Sequence, residues 1–335
     1  GGASAALALE PAPIGPGGPV VRGLVAREPL AEGATILSVP LNLAFGAAHA
    51  EGASTGELAE SLLAECAKDG VGASGGQWAE YLRSLPANLA TPITLADADV
   101  AELQYAPAVA AVADFKAYVA AMYAGGGAGG RFSLEEFTWA VQMVHSRTFR
   151  TVGRRVMVPG IDMLNHGGPR LQNCTLRLAR PFGTAAFDDT QGVAIQLVAL
   201  RDLAEGEQVL WSYGSKRSND DFCQYYGMVV PDNDYETVAL FGDVDEALAW
   251  HKAAFGAEAA EPYAGALAAS RAQDLGGTAG GAVENGADIH VLDALDGDPA
   301  APQRPAAELR ADGSFTLASF RTHLPQWGTP APRAA

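Results

Sequence analysis

Apolar residues follow two different periods along this chain, and the changes of period mark its parts. Val20 to Ala26 and Thr35 to Val39 are short apolar runs that predict two strands, with Pro29-Leu30-Ala31-Glu32-Gly33 as the turn between them and Pro40 as the stop. A similar phrase returns later, where Leu203-Ala204-Glu205-Gly206 joins the run Ala194–Leu200 to Gln208–Tyr213. Two copies do not make a repeat protein. They predict short paired strands with similar turns near the two ends of one β-rich domain. Residues 1–19, rich in Ala, Gly and Pro, are expected to be irregular.

Between these strands the period becomes helical. Ser54-Thr55-Gly56-Glu57 has the form of a capping box ahead of Leu58, Leu62 and Cys66, with Gly70 as the stop. Trp78, Tyr81, Leu82 and Leu85 keep helical spacing up to Pro86, and Val112, Phe115, Val119 and Met122 form a second stripe. Gly125 to Gly130 is almost all glycine and predicts a flexible surface loop without phosphate-cradle spacing. Ser133-Leu134-Glu135-Glu136 is a second capping box; the helix it opens carries Phe137, Val141 and Val144 and brings Arg147 to its C-terminal end. After Pro231 large apolar groups thin out. Asp245–Phe255 and Glu261–Leu275 are expected helices, Gly276–Gly286 a linker, and the tail from Pro325 is Pro rich. The C-terminal third is therefore read as a small helical appendage, loosely packed or partly disordered.

Composition narrows the function. The 335 residues are 48% hydrophobic and 18% charged, which suits one large or two ordinary globular domains. The net charge of −17 argues against nucleic acid, whose phosphates need a basic face, and favours encounter with basic protein surfaces. No run of about eighteen apolar residues suggests a membrane span. Cys66, Cys174 and Cys223 are too far apart for a zinc ribbon and read as reduced thiols, which fits the plastid stroma or cytoplasm. The chain begins Gly1-Gly2-Ala3-Ser4 without Met and is read as a trimmed or processed product.

The candidate chemistry lies in Asp162-Met163-Leu164-Asn165-His166 and in two tyrosines thirteen residues apart, Tyr213 and Tyr226. An amide, an imidazole and two phenols suit a cationic cosubstrate and an amine nucleophile better than hydrolysis. Each has a plainer reading as well: tyrosines pack in cores with satisfied hydroxyls, Asn marks turns, and Arg147 complements a helix dipole.

Taken in order, these segments resemble the SET-domain protein methyltransferases, in the branch with a helical insert typified by Rubisco large-subunit lysine methyltransferase. The resemblance runs from about Val20 to Gly227: the strand Arg22-Gly23-Leu24-Val25, the insert segment Gln77-Trp78 to Leu85-Pro86, Ser146-Arg147-Thr148-Phe149, Asp162 to His166, Gly206-Glu207 to Tyr213, and Tyr226-Gly227. It implies methyl transfer from S-adenosylmethionine to a protein lysine, without a metal. Asn165 and His166 would then meet the adenosine part, Arg147 the carboxylate, and backbone atoms of Val20 and Arg22 the same pocket. Asp162 would add a backbone carbonyl or a structural hydrogen bond. Tyr213 would orient the lysine amine and Tyr226 support the methyl-transfer channel. Actin-histidine methyltransferases of this branch carry Asn two residues after the arginine; here Phe149 stands there, which implies a sleeve for a lysine stem.

The chain departs from the family at Val20-Val21-Arg22-Gly23-Leu24, where Glu-Gly-x-Gly-Leu is frequent, so one glycine is missing. It also lacks a Cys-rich zinc segment after Tyr226, which implies a non-histone substrate. The implied fold is α+β: small antiparallel sheets with a pseudoknot over residues 20–230, a helical insert at about 50–130, and a short helical C-terminal region over 231–335 that docks substrate. The alternative function is a SET-fold scaffold without turnover, a subunit of a larger assembly.

Overall fold

The structure, a computed structural model, describes residues 6–49, 53–68, 76–151, 154–179, 192–214, 217–231, 233, 235–241, 244–258, 289–291, 307–310 and 315–317. In chain order its elements are β1 (Leu7–Pro13), β2 (Val20–Ala26), β3 (Thr35–Pro40), α1 (Thr55–Lys68), α2 (Ala79–Ser84), α3 (Asp97–Ala101), α4 (Ala106–Gly125), α5 (Leu134–Arg147), β4 (Thr148–Thr151), β5 (Arg154–Met157), β6 (Asn165–His166), α6 (Gly168–Leu171), β7 (Cys174–Ala179), β8 (Ala194–Ala199), β9 (Leu210–Trp211), α7 (Asn219–Tyr226), β10 (Thr237–Phe241), α8 (Val244–Phe255), β11 (Ile289–Val291), β12 (Ala307–Arg310) and β13 (Phe315–Leu317). The chain divides into two compact units: Gly1–Leu89, Val119–Ser215 and Glu284–Asp298 form the first, and Ala90–Tyr118, Lys216–Val283 and Pro299–Ala335 the second.

Within the first unit, β1 runs antiparallel to β2, from Leu7 opposite Ala26 to Pro13 opposite Val20. This corrects the expectation of an irregular N-terminal segment. A strand at the edge of a two-stranded sheet tolerates Pro11 and Pro13, which have no N–H to give, and its sequence need show no alternation. A second antiparallel sheet has the order β3-β8-β7, and a third β11-β4-β5. The two similar turn phrases face each other: the amides and carbonyls of Leu30 and Leu203 exchange hydrogen bonds at 2.9 and 2.8 Å, and Gly206 N–H donates to Ala26 O at 2.8 Å. The short strands β6 and β9 pair in parallel, Asn165 with Leu210 and His166 with Trp211.

Helices α1 and α5 pack together; Leu58, Ala59, Leu62 and Leu63 of one and Phe137, Ala140, Val141 and Val144 of the other are buried. Both expected capping boxes form. Glu57 N–H donates to Ser54 Oγ at 3.2 Å while Glu57 accepts from Ser54 N–H at 2.8 Å, and Ser133 and Glu136 do the same at 3.1 and 2.7 Å. The stop at Gly70 lies outside the described residues. The glycine-rich stretch at the end of α4 lies at the surface as expected, and Glu60 Oε1 accepts from Gly127 N–H at 2.7 Å and from the buried Ala128 N–H at 3.1 Å. A carboxylate from a distant helix pins a loop that composition alone makes look free.

The second unit joins α3 and the start of α4 to α7. Phe115 meets Tyr225 edge-on at 5.4 Å, and α7 ends at Gly227 with φ 65°, where a Cβ would lie 1.9 Å from Ala90 O. These contacts explain why residues 90–118, counted in sequence as part of the insert, group with residues beyond 216 instead. Helix α8 occupies the expected 245–255 segment, and a three-stranded antiparallel sheet β10-β12-β13, which the sequence reading did not anticipate, accompanies it. The expected helix at Glu261–Leu275, the Gly276–Gly286 linker and the tail from Pro325 lie outside the described residues. No helix among the described residues is long and apolar enough to cross a membrane.

Candidate functional site

The first unit brings together Arg22, Arg147, Asp162, Asn165, His166 and Tyr213. Parallel pairing of β6 with β9 is the frame: Gly167 N–H donates to Trp211 O at 2.9 Å, and Tyr213 N–H donates to His166 Nδ1 at 3.1 Å. The second bond fixes the imidazole, so that neutral His166 carries its proton on Nε2. The two rings lie 5.3 Å apart. The Tyr213 hydroxyl donates to Leu164 O at 2.7 Å. With its proton committed there, the phenol can meet an incoming N–H only as an acceptor.

Asn165 is oriented by its donors. Its Nδ2 reaches Arg22 O at 3.0 Å and Gln208 Oε1 at 2.6 Å. Gln208 is buried and is itself oriented by donating from Nε2 to Ala12 O at 2.8 Å. Both amide hydrogens of Asn165 are thus used internally, and its carbonyl oxygen remains as an acceptor for a ligand donor. Gly23 makes this junction fit, because a Cβ there would stand 2.4 Å from both Asn165 Nδ2 and Gln208 Oε1.

Arg147, the last residue of α5, turns inward over the Asp162 turn. Its Nη1 donates to Asp162 O at 2.9 Å and lies 3.5 Å from both Asp162 Oδ2 and Met163 Sδ. Tyr81, from α2, donates its hydroxyl to Asp162 Oδ2 at 2.7 Å. Burial raises the Asp162 carboxyl above its ordinary range against the opposing pull of Arg147 and Tyr81. Burial, reinforced by the Asp162 charge, lifts the Tyr81 phenol well above its own, so Tyr81 keeps its proton and remains the donor. Arg147 Nε and Asp162 Oδ1 are buried with no protein partner.

Val20, Phe149 and Tyr226 complete the candidate residues. Val20 is 66% exposed at the start of β2, and Phe149 is 5% exposed with its ring 5.5 Å from Trp211. Tyr226 belongs to the second unit, where its ring lies 6.1 Å from Phe222 and the Arg217 guanidinium sits 5.9 Å from its centre. Sequence reading missed Gln208 and Asn173. The carboxamide of the fully buried Asn173 donates to Gln208 O at 2.9 Å and accepts from Leu210 N–H at 2.8 Å, holding β9 as a neighbouring strand would. The available signal was a polar residue, Gln208, set directly before the apolar pair Val209-Leu210. Among the described residues no group of three His, Cys, Asp or Glu clusters as metal ligands.

The donor set fits an adenosyl amino acid. Asn165 Oδ1 can accept from an amino group, the Arg147 guanidinium can take a carboxylate, and carbonyl and phenol oxygens suit positive charge. No family model matches the sequence. The ribosomal lysine N-methyltransferase set10 of Schizosaccharomyces pombe (strain 972 / ATCC 24843) is 29% identical over 119 residues, which is 33% of this chain and 19% of that protein. Among solved structures, the SET domain of LSMT bound to lysine and AdoHcy matches with a TM-score of 0.54 and 22% identity, over 66% of this chain and 54% of its own. Rubisco LSMT bound to AdoMet matches with a TM-score of 0.50 and 21% identity, over 66% of this chain and 53% of its own. The chain thus spans about half the length of these structures. Order of elements, the Asn165-His166 pairing with β9 and these likenesses agree that the chain has the SET-domain fold.

Proposed function

We propose that the chain is an S-adenosylmethionine-dependent protein-lysine N-methyltransferase acting on a non-histone protein. The observation that carries it is the meeting of Asn165, His166 and Tyr213 on the β6–β9 pair, with an open acceptor on Asn165 and the Tyr213 phenol oxygen held in place by Leu164 O. The fold of the LSMT structures supports the same reading. When bound, S-adenosylmethionine supplies an electrophilic methyl group on a sulfonium.

The chain's residues align and shield. Asn165 and His166 hold the adenosine part, Arg147 the carboxylate, and the backbones of Val20 and Arg22 one wall. Asp162 keeps Arg147 in place. Tyr213 accepts an N–H from the neutral lysine amine and so points its lone pair. Phe149 and Trp211 give the methylene stem an apolar lining, and Tyr226 supplies the second phenol. Three free thiols fit a reducing compartment, the plastid stroma or cytoplasm.

Calorimetry with S-adenosylmethionine, followed by transfer of labelled methyl to lysine-rich protein fractions, tests the reading. Binding followed by label on lysine supports it. No binding by the folded chain defeats it, and binding without transfer to any fraction would favour the scaffold alternative.

A further inference from the structure

We propose that the Arg22 side chain completes a two-arginine site for a carboxylate, the one at the amino-acid end of S-adenosylmethionine; this rests on the reading that the site takes that cosubstrate. Two guanidinium groups converge on one sulfur atom: Arg22 Nη2 lies 4.0 Å and Arg147 Nη1 3.5 Å from Met163 Sδ. A thioether carries no charge and is a weak acceptor, so it leaves the repulsion between the two cations unanswered. Arg147 has Asp162 at 3.5 Å. Arg22 has no carboxylate at ion-pair distance among the described residues; its other contact is a single bond from Nη2 to Ser84 O at 2.8 Å. That bond, to the end of α2, steadies the guanidinium and leaves Nε and Nη1 as donors.

An anion answers both arginines at once. A carboxylate is planar, can accept two parallel N–H bonds from a guanidinium, and offsets part of the repulsion between the two cations it sits between. The placement is specific as well. Arg22 O accepts from Asn165 Nδ2, so one residue touches the Asn165 junction through its backbone and the Arg147 junction through its side chain. In a chain with 39 acidic and 22 basic residues, an arginine that shares a sulfur contact with a second arginine and has no ion-pair carboxylate among the described residues is a local exception that a ligand charge explains.

A ligand-side cycle tests it by titration calorimetry of the full chain, with S-adenosylmethionine and its decarboxylated analogue, which lacks only the carboxylate. Arg22→Gln should weaken S-adenosylmethionine roughly tenfold, the effect of losing one charge-assisted hydrogen bond. The same variant should change the analogue by less than about twofold, as expected for groups that do not couple. Arg22→Lys, which keeps charge without the planar fork, should fall between, again for S-adenosylmethionine alone. Thermal melting confirms that each variant is folded. Equal losses for both ligands would mean that Arg22 acts by docking α2 through Ser84, and no loss for either would mean that it plays no part; both overturn the proposal. A wild-type chain that binds neither ligand overturns the cosubstrate reading and this one with it.

Discussion

Gln208 accepts the Asn165 side-chain amide at 2.6 Å, and the space in which the two side chains meet exists because residue 23 is glycine. Strand β2 therefore does more than border the site. Its one missing side chain sets how closely two distant motif segments approach.

Gly23→Ala should loosen that junction. The added methyl must displace Asn165 or Gln208, and overpacking of this kind costs about 1–3 kcal/mol of stability. Urea unfolding should show the loss, and calorimetry should show weaker S-adenosylmethionine binding in the folded variant. Unchanged values in both would mean that β2 yields without cost.

Asn165→Ala removes the acceptor that faces the ligand and strands Gln208 Oε1 without its donor. Cosubstrate binding should weaken by roughly 1–3 kcal/mol. Titration of the folded variant checks it, and wild-type affinity would count against Asn165 as a binding residue.

Tyr213→Phe should leave cosubstrate affinity nearly unchanged while kcat falls at least about tenfold, because the phenol oxygen matters only once the amine is aligned for attack. The ring would still pack against His166. A wild-type kcat would make Tyr213 a packing residue.

His145, buried in the last turn of α5, carries a pH signature. Burial, with the nearby Arg155 charge, lowers its pKa to about 3 from 6.5. The unfolded chain therefore binds a proton between those values that the folded chain refuses. Stability is fully present above the unfolded pKa and falls as pH drops through the window to about 3, by up to about 1.4 kcal/mol per pH unit for this one group. His145→Gln should remove that share of the slope. Parallel slopes for variant and wild type in urea unfolding would contradict it.

The acceptor should be lysine. Phe149 offers no hydrogen bond to an imidazole, and a neutral amine becomes easier to present as pH rises, so rate should increase with pH toward the lysine range. Mass spectrometry of a modified acceptor decides it, and methyl groups on histidine alone would end the lysine reading.

What could be read from sequence was local. The Ser54–Glu57 and Ser133–Glu136 boxes are three-residue events, and helical spacing placed α1, α2, α4 and α5. The order of motifs located Arg147, Asn165, His166 and Tyr213. What escaped depends on partners far along the chain. Gln208 and Asn173 show their roles only once β9 is set beside β6, Glu60 reaches a glycine-rich loop 67 residues away, and β1 has no pattern apart from β2. The division between the units escaped for the same reason, since Phe115 finds Tyr225 only in space.

Gln208 also bonds the carbonyl of Ala12, and 196 residues separate them. On a ribosome adding roughly 5–20 residues per second, that gap is about ten to forty seconds. The β1–β2 hairpin and the capped helices can form during the wait, since their partners are already made. The Arg22 and Ala12 carbonyls meet their side-chain donors only once Asn165 and Gln208 emerge. The nascent chain therefore joins these parts of its candidate site only after its first hairpin and capped helices, and a synthesis arrested before Gln208 would yield ordered helices beside an unfinished site.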